Sequence, residues 1–146
     1  MVEIKNILCA VDFSEMSPRV ASYAQALAEN LNAKVHLVYV APSLDQHATF
    51  SVSVTSVQEF IDQIVTEAQK KMEAFIQENF KKIDVRGEVL RGYADEEILK
   101  FAQKENIDLI VMGTHGRKGV DKILFGSVAE KVVKSSRIPV MSIRPV

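Results

Sequence analysis

The chain changes its hydrophobic period again and again over 146 residues, and this alternation limits its fold more than any other feature. Ile4 to Val11 is an apolar run of strand length, stopped by Asp12. From Ser17 the apolar positions fall at Val20, Ala24, Leu27, Ala28 and Leu31, which is helical spacing. Ser17-Pro18 reads as the helix start, with serine as cap and proline where a missing N–H does no harm. Asn30 or Asn32 reads as the stop. Lys34 to Ala41 is a second strand, ended by Pro42, and residues 43–54 are polar and serine-rich, as a loop would be. Ser56 and Glu59 have capping-box spacing. The stripe that follows, from Val57, Phe60 and Ile61 through Met72, Phe75 and Ile76, predicts a long helix reaching about Phe80.

Ile83 to Leu90 is a third strand in which Asp84, Arg86 and Glu88 alternate with apolar positions, broken only at Gly87. One wet face suits a sheet edge. Asp95 is expected to cap a short helix that turns Ile98, Leu99 and Ala102 inward, with Glu96 and Glu97 at its positive end. Ile107 to Met112 is a fourth strand, a last helix covers about Ser127 to Ser135, and Ile138 to Ile143 is a fifth strand. Strand-helix alternation implies a parallel sheet with helices on both faces and right-handed crossovers. The first and fourth strands are the most apolar and belong at the centre. The expected fold is therefore α/β: a three-layer, doubly wound, five-stranded parallel sheet in the order 3-2-1-4-5, formed by one domain over residues 1–146. In such a sheet ligands bind outside the carboxyl ends of the strands, where the winding reverses.

That point carries an unusual sequence, IDLIVMGTHGRKGVDKILFGSVA, residues 107–129. Asp12 ends the first strand, Gly113 to Gly116 end the fourth, and Gly126-Ser127 opens the last helix. Glycines let main-chain N–H groups approach an anion and adopt positive φ. A helix start offers free N–H groups and a favourable dipole to a phosphate, to which Ser127 can add a hydroxyl. Each piece has a plain alternative. Asp12 is a turn residue or a ligand, Gly126-Ser127 a simple helix start or a phosphate site, and His115 a solvent-facing ring or a functional one. Their joint placement in one crevice favours the functional readings. Arg117, Lys118 and Lys122 are either part of the site or a solvated face. The phosphate-loop and dinucleotide glycine patterns are both absent.

Composition excludes several other classes. A net charge of −1 and a pI near 6.3 give no footprint for nucleic acid. No apolar run approaches the ~20 residues that span a bilayer. The opening MVEIKNILCAVDF lacks a basic stretch and a cleavage site, and the single Cys9 cannot form an internal disulfide, so a cytoplasmic protein is expected. His36, His47 and His115 are scattered, and no metal cluster stands out.

The segment GTHGRKGVDKILFGS has the form G-x2-G-x9-G-[ST] and resembles the nucleotide-binding signature of the universal stress proteins. The resemblance covers the whole chain through ILCAVDFSE, DEEIL, DLIVMGTHGR, GSVAEKVV and IPVMSIRP. It implies the adenine nucleotide α-hydrolase-like fold and, because all of the glycine pattern is kept, the ATP-binding branch of the family. By the resemblance, Asp12 lies at the adenine and ribose, Val40 offers its backbone to the adenine edge, and Ala10 and Met112 are apolar walls. Gly113, His115 and Gly116, with Arg117 beside them, line the ribose and first phosphates, and Gly126, Ser127 and Val128 hold the outer phosphates. Ala129 stands where some ATP-binding relatives carry threonine, which leaves ATP, ADP and AMP as alternatives. Mg2+ would arrive on the phosphates. No catalytic residue is assigned. The expected function is an ATP-binding stress-response protein that signals by occupancy to a regulated protein partner. The alternatives are a slow ATPase or phosphotransferase, and an interaction module with a vestigial pocket. The resemblance also implies a homodimer through antiparallel pairing of Ile138 to Ile143.

Overall fold

The structure, a computed structural model, describes residues 1–43, 54–115 and 126–146. Among them the chain forms β1 (Asn6–Ala10), α1 (Ser17–Leu31), β2 (Lys34–Ala41), α2 (Val54–Asn79), β3 (Val85–Arg91), α3 (Ala94–Lys104), β4 (Leu109–Gly113), α4 (Ser127–Ser135) and β5 (Val140–Ile143). The strands make one sheet in the order β3-β2-β1-β4-β5, and every neighbouring pair is parallel. Ile7 stands opposite Val35 on one side and Leu109 on the other.

The period-2 alternation of the strands sorts their side chains between two cores. Ile7, Cys9, Val35, Leu37, Leu109 and Val111 pack with Val20, Ala24 and Ala28 of α1 and Met72 and Phe75 of α2. Leu8, Val38, Ile110 and Met112 pack on the opposite face with Ile98 and Phe101 of α3 and Ala129 and Val132 of α4. Full burial of a side chain such as Ile110, which is 0% exposed, contributes about 1.5–3 kcal/mol. Cys9 lies wholly inside the first core, and burial pushes its thiol up to about 12. His36 is buried on the α3 face with its ring edge-on to Phe101 at 5.7 Å, and burial lowers its pKa.

The interruption at Gly87 now has a packing reason. A Cβ there would meet Met72 Cγ at 2.5 Å and Ile76 Cδ1 at 3.1 Å, so glycine lets α2 lie close against β3. Phe60, expected on the buried stripe of α2, is exposed instead.

Several element starts differ from expectation, each for a local reason. Ser17 is the first residue of α1 and not its cap; Met16 occupies the cap position, and the Ser17 hydroxyl donates to Asp12 Oδ1 at 3.2 Å. The helix stops at Asn32, whose φ of 53° is left-handed and whose N–H returns to Ala28 O. α2 begins at Val54, so Ser56 falls inside it. Tyr93, in extended conformation, precedes α3, which puts Asp95 in the first turn with Glu96 and Glu97. There the acidic side chains favour the positive end without capping it. β1 begins at Asn6 because the N–H groups of Lys5 and Asn6 both turn to Asp108 Oδ2, at 2.9 Å each. β5 begins at Val140 because Ile138 is tied into a turn by the Ser136 hydroxyl. Among the described residues no helix is long and apolar enough to cross a membrane.

Candidate functional site

The two central strands send their chains to opposite sides. α1 leaves β1 on one face of the sheet, and α4, after β4, packs on the other. The split opens a cleft of about 630 Å³ at the carboxyl ends of the strands. Its volume falls in the range of about 300–1,000 Å³ common for small-molecule sites. The cleft is mostly apolar: Ala10, Val38, Val40 and Met112 come from strand ends, and Ala94 and Ile98 reach in from α3.

Of the site residues expected from the sequence, nine line this cleft: Ala10, Asp12, Val40, Met112, Gly113, His115, Gly126, Ser127 and Val128. Gly116 and Arg117 lie outside the described residues, as does His47. Sequence reasoning missed Met16, Ser17, Val20, Ala94, Ile98 and Thr114, which also line it. Ala94 and Ile98 are four apart on one helix, and that spacing was the signal that could have found them.

Asp12 is held in place by the turn that follows it. Its Oδ1 accepts the Ser14 N–H at 2.9 Å and the Ser17 hydroxyl at 3.2 Å. Phe13, between Asp12 and Ser14, takes a left-handed φ of 59° and packs its ring on Tyr39 and Phe75. Both bonds land on Oδ1, so Oδ2 faces no partner among the described residues.

The opposite end of the cleft is made of main chain. Gly126 occupies the cap position of α4 with φ −71° and ψ 166°, and among the described residues no side chain caps the helix. The first helical bond runs from Glu130 N–H to Gly126 O. The N–H groups of Ser127, Val128 and Ala129 therefore have no intrahelical acceptor. Gly126 is needed for close approach and not for positive φ: its N–H donates to Thr114 O at 2.6 Å, and a Cβ would stand 3.1 Å from that oxygen. Gly113 is likewise crowded, by His115 O at 3.3 Å and Val20 Cγ2 at 3.4 Å.

The electrostatic layout is polarised. Asp12 is the formal negative charge among the described lining residues, and the positive end of the α4 dipole lies across from it. An anion is favoured at α4 and disfavoured at Asp12, whose carboxylate suits hydroxyl donors. No group of three or more His, Cys, Asp or Glu side chains among the described residues is placed to hold a metal ion.

The model of the Universal stress protein family matches residues 3–144 of the chain. Universal stress protein MJ0531 of Methanocaldococcus jannaschii is 36% identical over 143 residues, covering 96% of this chain and 82% of that protein. The solved structure of the hypothetical protein MJ0577 superposes with a TM-score of 0.87 at 30% identity, covering 99% of each chain. Sequence comparison gives 32% identity to Universal stress protein MJ0577 of the same organism, over 98% of this chain and 96% of that one. At 21% identity, the universal stress protein from Archaeoglobus fulgidus solved in complex with dAMP has the same fold, with a TM-score of 0.67 over 98% of this chain and 99% of that one. The match over nearly the full length decides the matter: this chain belongs to the universal stress protein family.

Proposed function

We propose that the protein binds ATP in the cleft between β1 and β4 and acts as a regulatory protein whose state is set by nucleotide occupancy. The observation that carries this reading is the pairing of an apolar pocket with an uncapped helix start. The adenine lies between Ala10, Val40 and Met112, and the ribose hydroxyls donate to Asp12 Oδ2. The phosphates run away from Asp12 toward the N–H groups of Ser127 and Val128 and the Ser127 hydroxyl, where the dipole favours them. Gly116 and Arg117 belong to the same site. Mg2+ enters on the phosphates. A neighbour in fold is solved in complex with dAMP, which supports an adenine nucleotide as the ligand class.

Occupancy is passed on through the β5 edge. Among the described residues β5 pairs with β4 alone, which leaves its outer side as the edge for a second copy. A homodimer through Ile138 to Ile143 joins two cleft-bearing sheets edge to edge into one continuous sheet, from which a regulated partner reads the occupied state. Light scattering of the purified chain tests this, with the mass of a dimer expected.

The site itself is tested by Ser127→Pro. Proline is tolerated at the first helical position, and the extended ψ of 166° at Gly126 is the conformation that a residue before proline prefers. The substitution removes one N–H and one hydroxyl while the helix persists. Calorimetric affinity for ATP is expected to fall about tenfold or more, since hydrogen bonds to charged groups are the strong ones. Unchanged affinity would remove α4 from the phosphate site. Mass spectrometry of gently purified protein is expected to show bound adenine nucleotide.

A further inference from the structure

Thr114 occupies a position that the glycine pattern treats as a spacer, yet all its polar groups are engaged. Its N–H donates to Ile143 O of β5 at 2.9 Å, and its carbonyl accepts the Gly126 N–H at 2.6 Å. Its Oγ1 lies 2.7 Å from His115 Nδ1. The residue is 1% exposed, so water does not reach it. A buried hydroxyl carries one proton that needs an acceptor, and leaving it without one is costly. Among the described residues His115 Nδ1 is the sole partner of Oγ1. If Nδ1 were the donor, the hydroxyl proton would have no acceptor among the described residues. The arrangement that satisfies both groups has the Thr114 hydroxyl donating and Nδ1 accepting. In a neutral imidazole the proton then resides on Nε2.

We infer that Thr114 is a positioning residue that locks His115 into the Nε2–H tautomer, so that the ring meets the ligand as a hydrogen-bond donor. The consequence for recognition is direct. His115 lines the cleft. An N–H donor there suits a phosphate oxygen, whereas the other tautomer would set a nitrogen lone pair against the same anion. The choice of phosphate as the ligand group rests on the nucleotide reading above; the tautomer itself does not.

The test has two independent arms. On the isotope-labelled full chain, a long-range proton–nitrogen correlation spectrum distinguishes the two ring nitrogens, and the signals missing from His115→Phe identify this ring. The expected result is an acceptor-type Nδ1 and a protonated Nε2 without nucleotide present. A protonated Nδ1 overturns the proposal, and this measurement needs no altered Thr114. Thr114→Val removes the hydroxyl at similar volume and is expected to give a mixture of tautomers, while Thr114→Ser restores the single one. In the second arm, Thr114→Val lowers ATP affinity about 5- to 10-fold, Thr114→Ser stays within about twofold, and adding His115→Phe to Thr114→Val costs little more. Additive losses in that double variant would overturn the claim that Thr114 acts through His115. If the wild-type chain binds no ATP while Nδ1 is the acceptor, the nucleotide reading fails and the tautomer assignment stands.

Discussion

The two ends of the sheet differ in how they treat main-chain donors, and the difference distinguishes the candidate site better than volume does. At the amino ends of the strands lies a hollow of about 1000 Å³, larger than the cleft at the carboxyl ends. Its walls carry Glu3, Lys5, Glu29, Lys34, Lys82 and Asp84. These charges are largely satisfied by one another, as in Lys5–Glu3 at 3.0 Å and Lys34–Asp84 at 3.7 Å. The N–H groups of Lys5 and Asn6 are closed by the Asp108 carboxylate. At the carboxyl ends the cleft is smaller and mostly apolar, and among the described residues the first N–H groups of α4 meet no side-chain cap. Among the described residues, one end closes main-chain donors with a carboxylate, and the other leaves donors for something else.

Five substitutions sharpen or break this contrast. The largest effect is expected from the floor that both ends share. Ile110→Ala should cost about 2–5 kcal/mol, read as a lower urea midpoint, because Ile110 is fully buried between β1 and β5. A loss below about 1 kcal/mol would mean that the centre of the sheet repacks freely.

Next comes a pair of mirror-image variants. Asp108→Ala should lower stability by about 1–2 kcal/mol, since two N–H groups lose a charged acceptor, and should leave ATP affinity unaltered. Ser127→Pro should do the reverse, with affinity falling and the unfolding midpoint holding. If both variants moved the same quantity, the two ends would not be distinct.

A smaller effect is expected at the amino-end ion pairs. Lys34→Met breaks a bridge whose side chains are 38% and 66% exposed, and should cost about 0–1 kcal/mol with no change in ATP binding.

The smallest effect concerns pH. Burial beside Phe101 keeps the His36 pKa below its ordinary 6.5, so the unfolded chain takes up its proton first as pH falls. The stability from the neutral buried ring is complete above 6.5 and declines as pH drops below it, until the folded ring also protonates. Titrating unfolding free energy in wild type and His36→Leu should show this acid-side decline shrinking in the variant. Equal slopes would assign the acid sensitivity to other groups.

The sheet order was legible because it follows from hydrophobicity: the strands richest in apolar residues, around Leu8 and Ile110, must be covered on both faces. The position of the cleft was legible in outline from the glycines at strand and helix ends, where Gly113 and Gly126 let main chain come close. Element starts were harder. Ser17 has the chemistry of a cap, yet Asp12 lies near enough in space to claim its hydroxyl. Asp95 has the same chemistry, yet the turn after Gly92 puts Tyr93 at the start. Which competitor wins a short polar side chain is decided by tertiary proximity, and no local pattern records it. Thr114 was illegible for a related reason: its role is visible only once β5 and α4 are brought to it by the fold.

Cys9 has a practical use. It is the chain's one cysteine, fully enclosed, with a thiol pushed up to about 12, and thiolate chemistry at neutral pH passes it by. A cysteine introduced at an exposed position such as Tyr93, beside the mouth of the cleft, would accept a fluorescent dye while the native sulfur stays dark. Ligand entry could then be followed by emission in an otherwise unaltered chain.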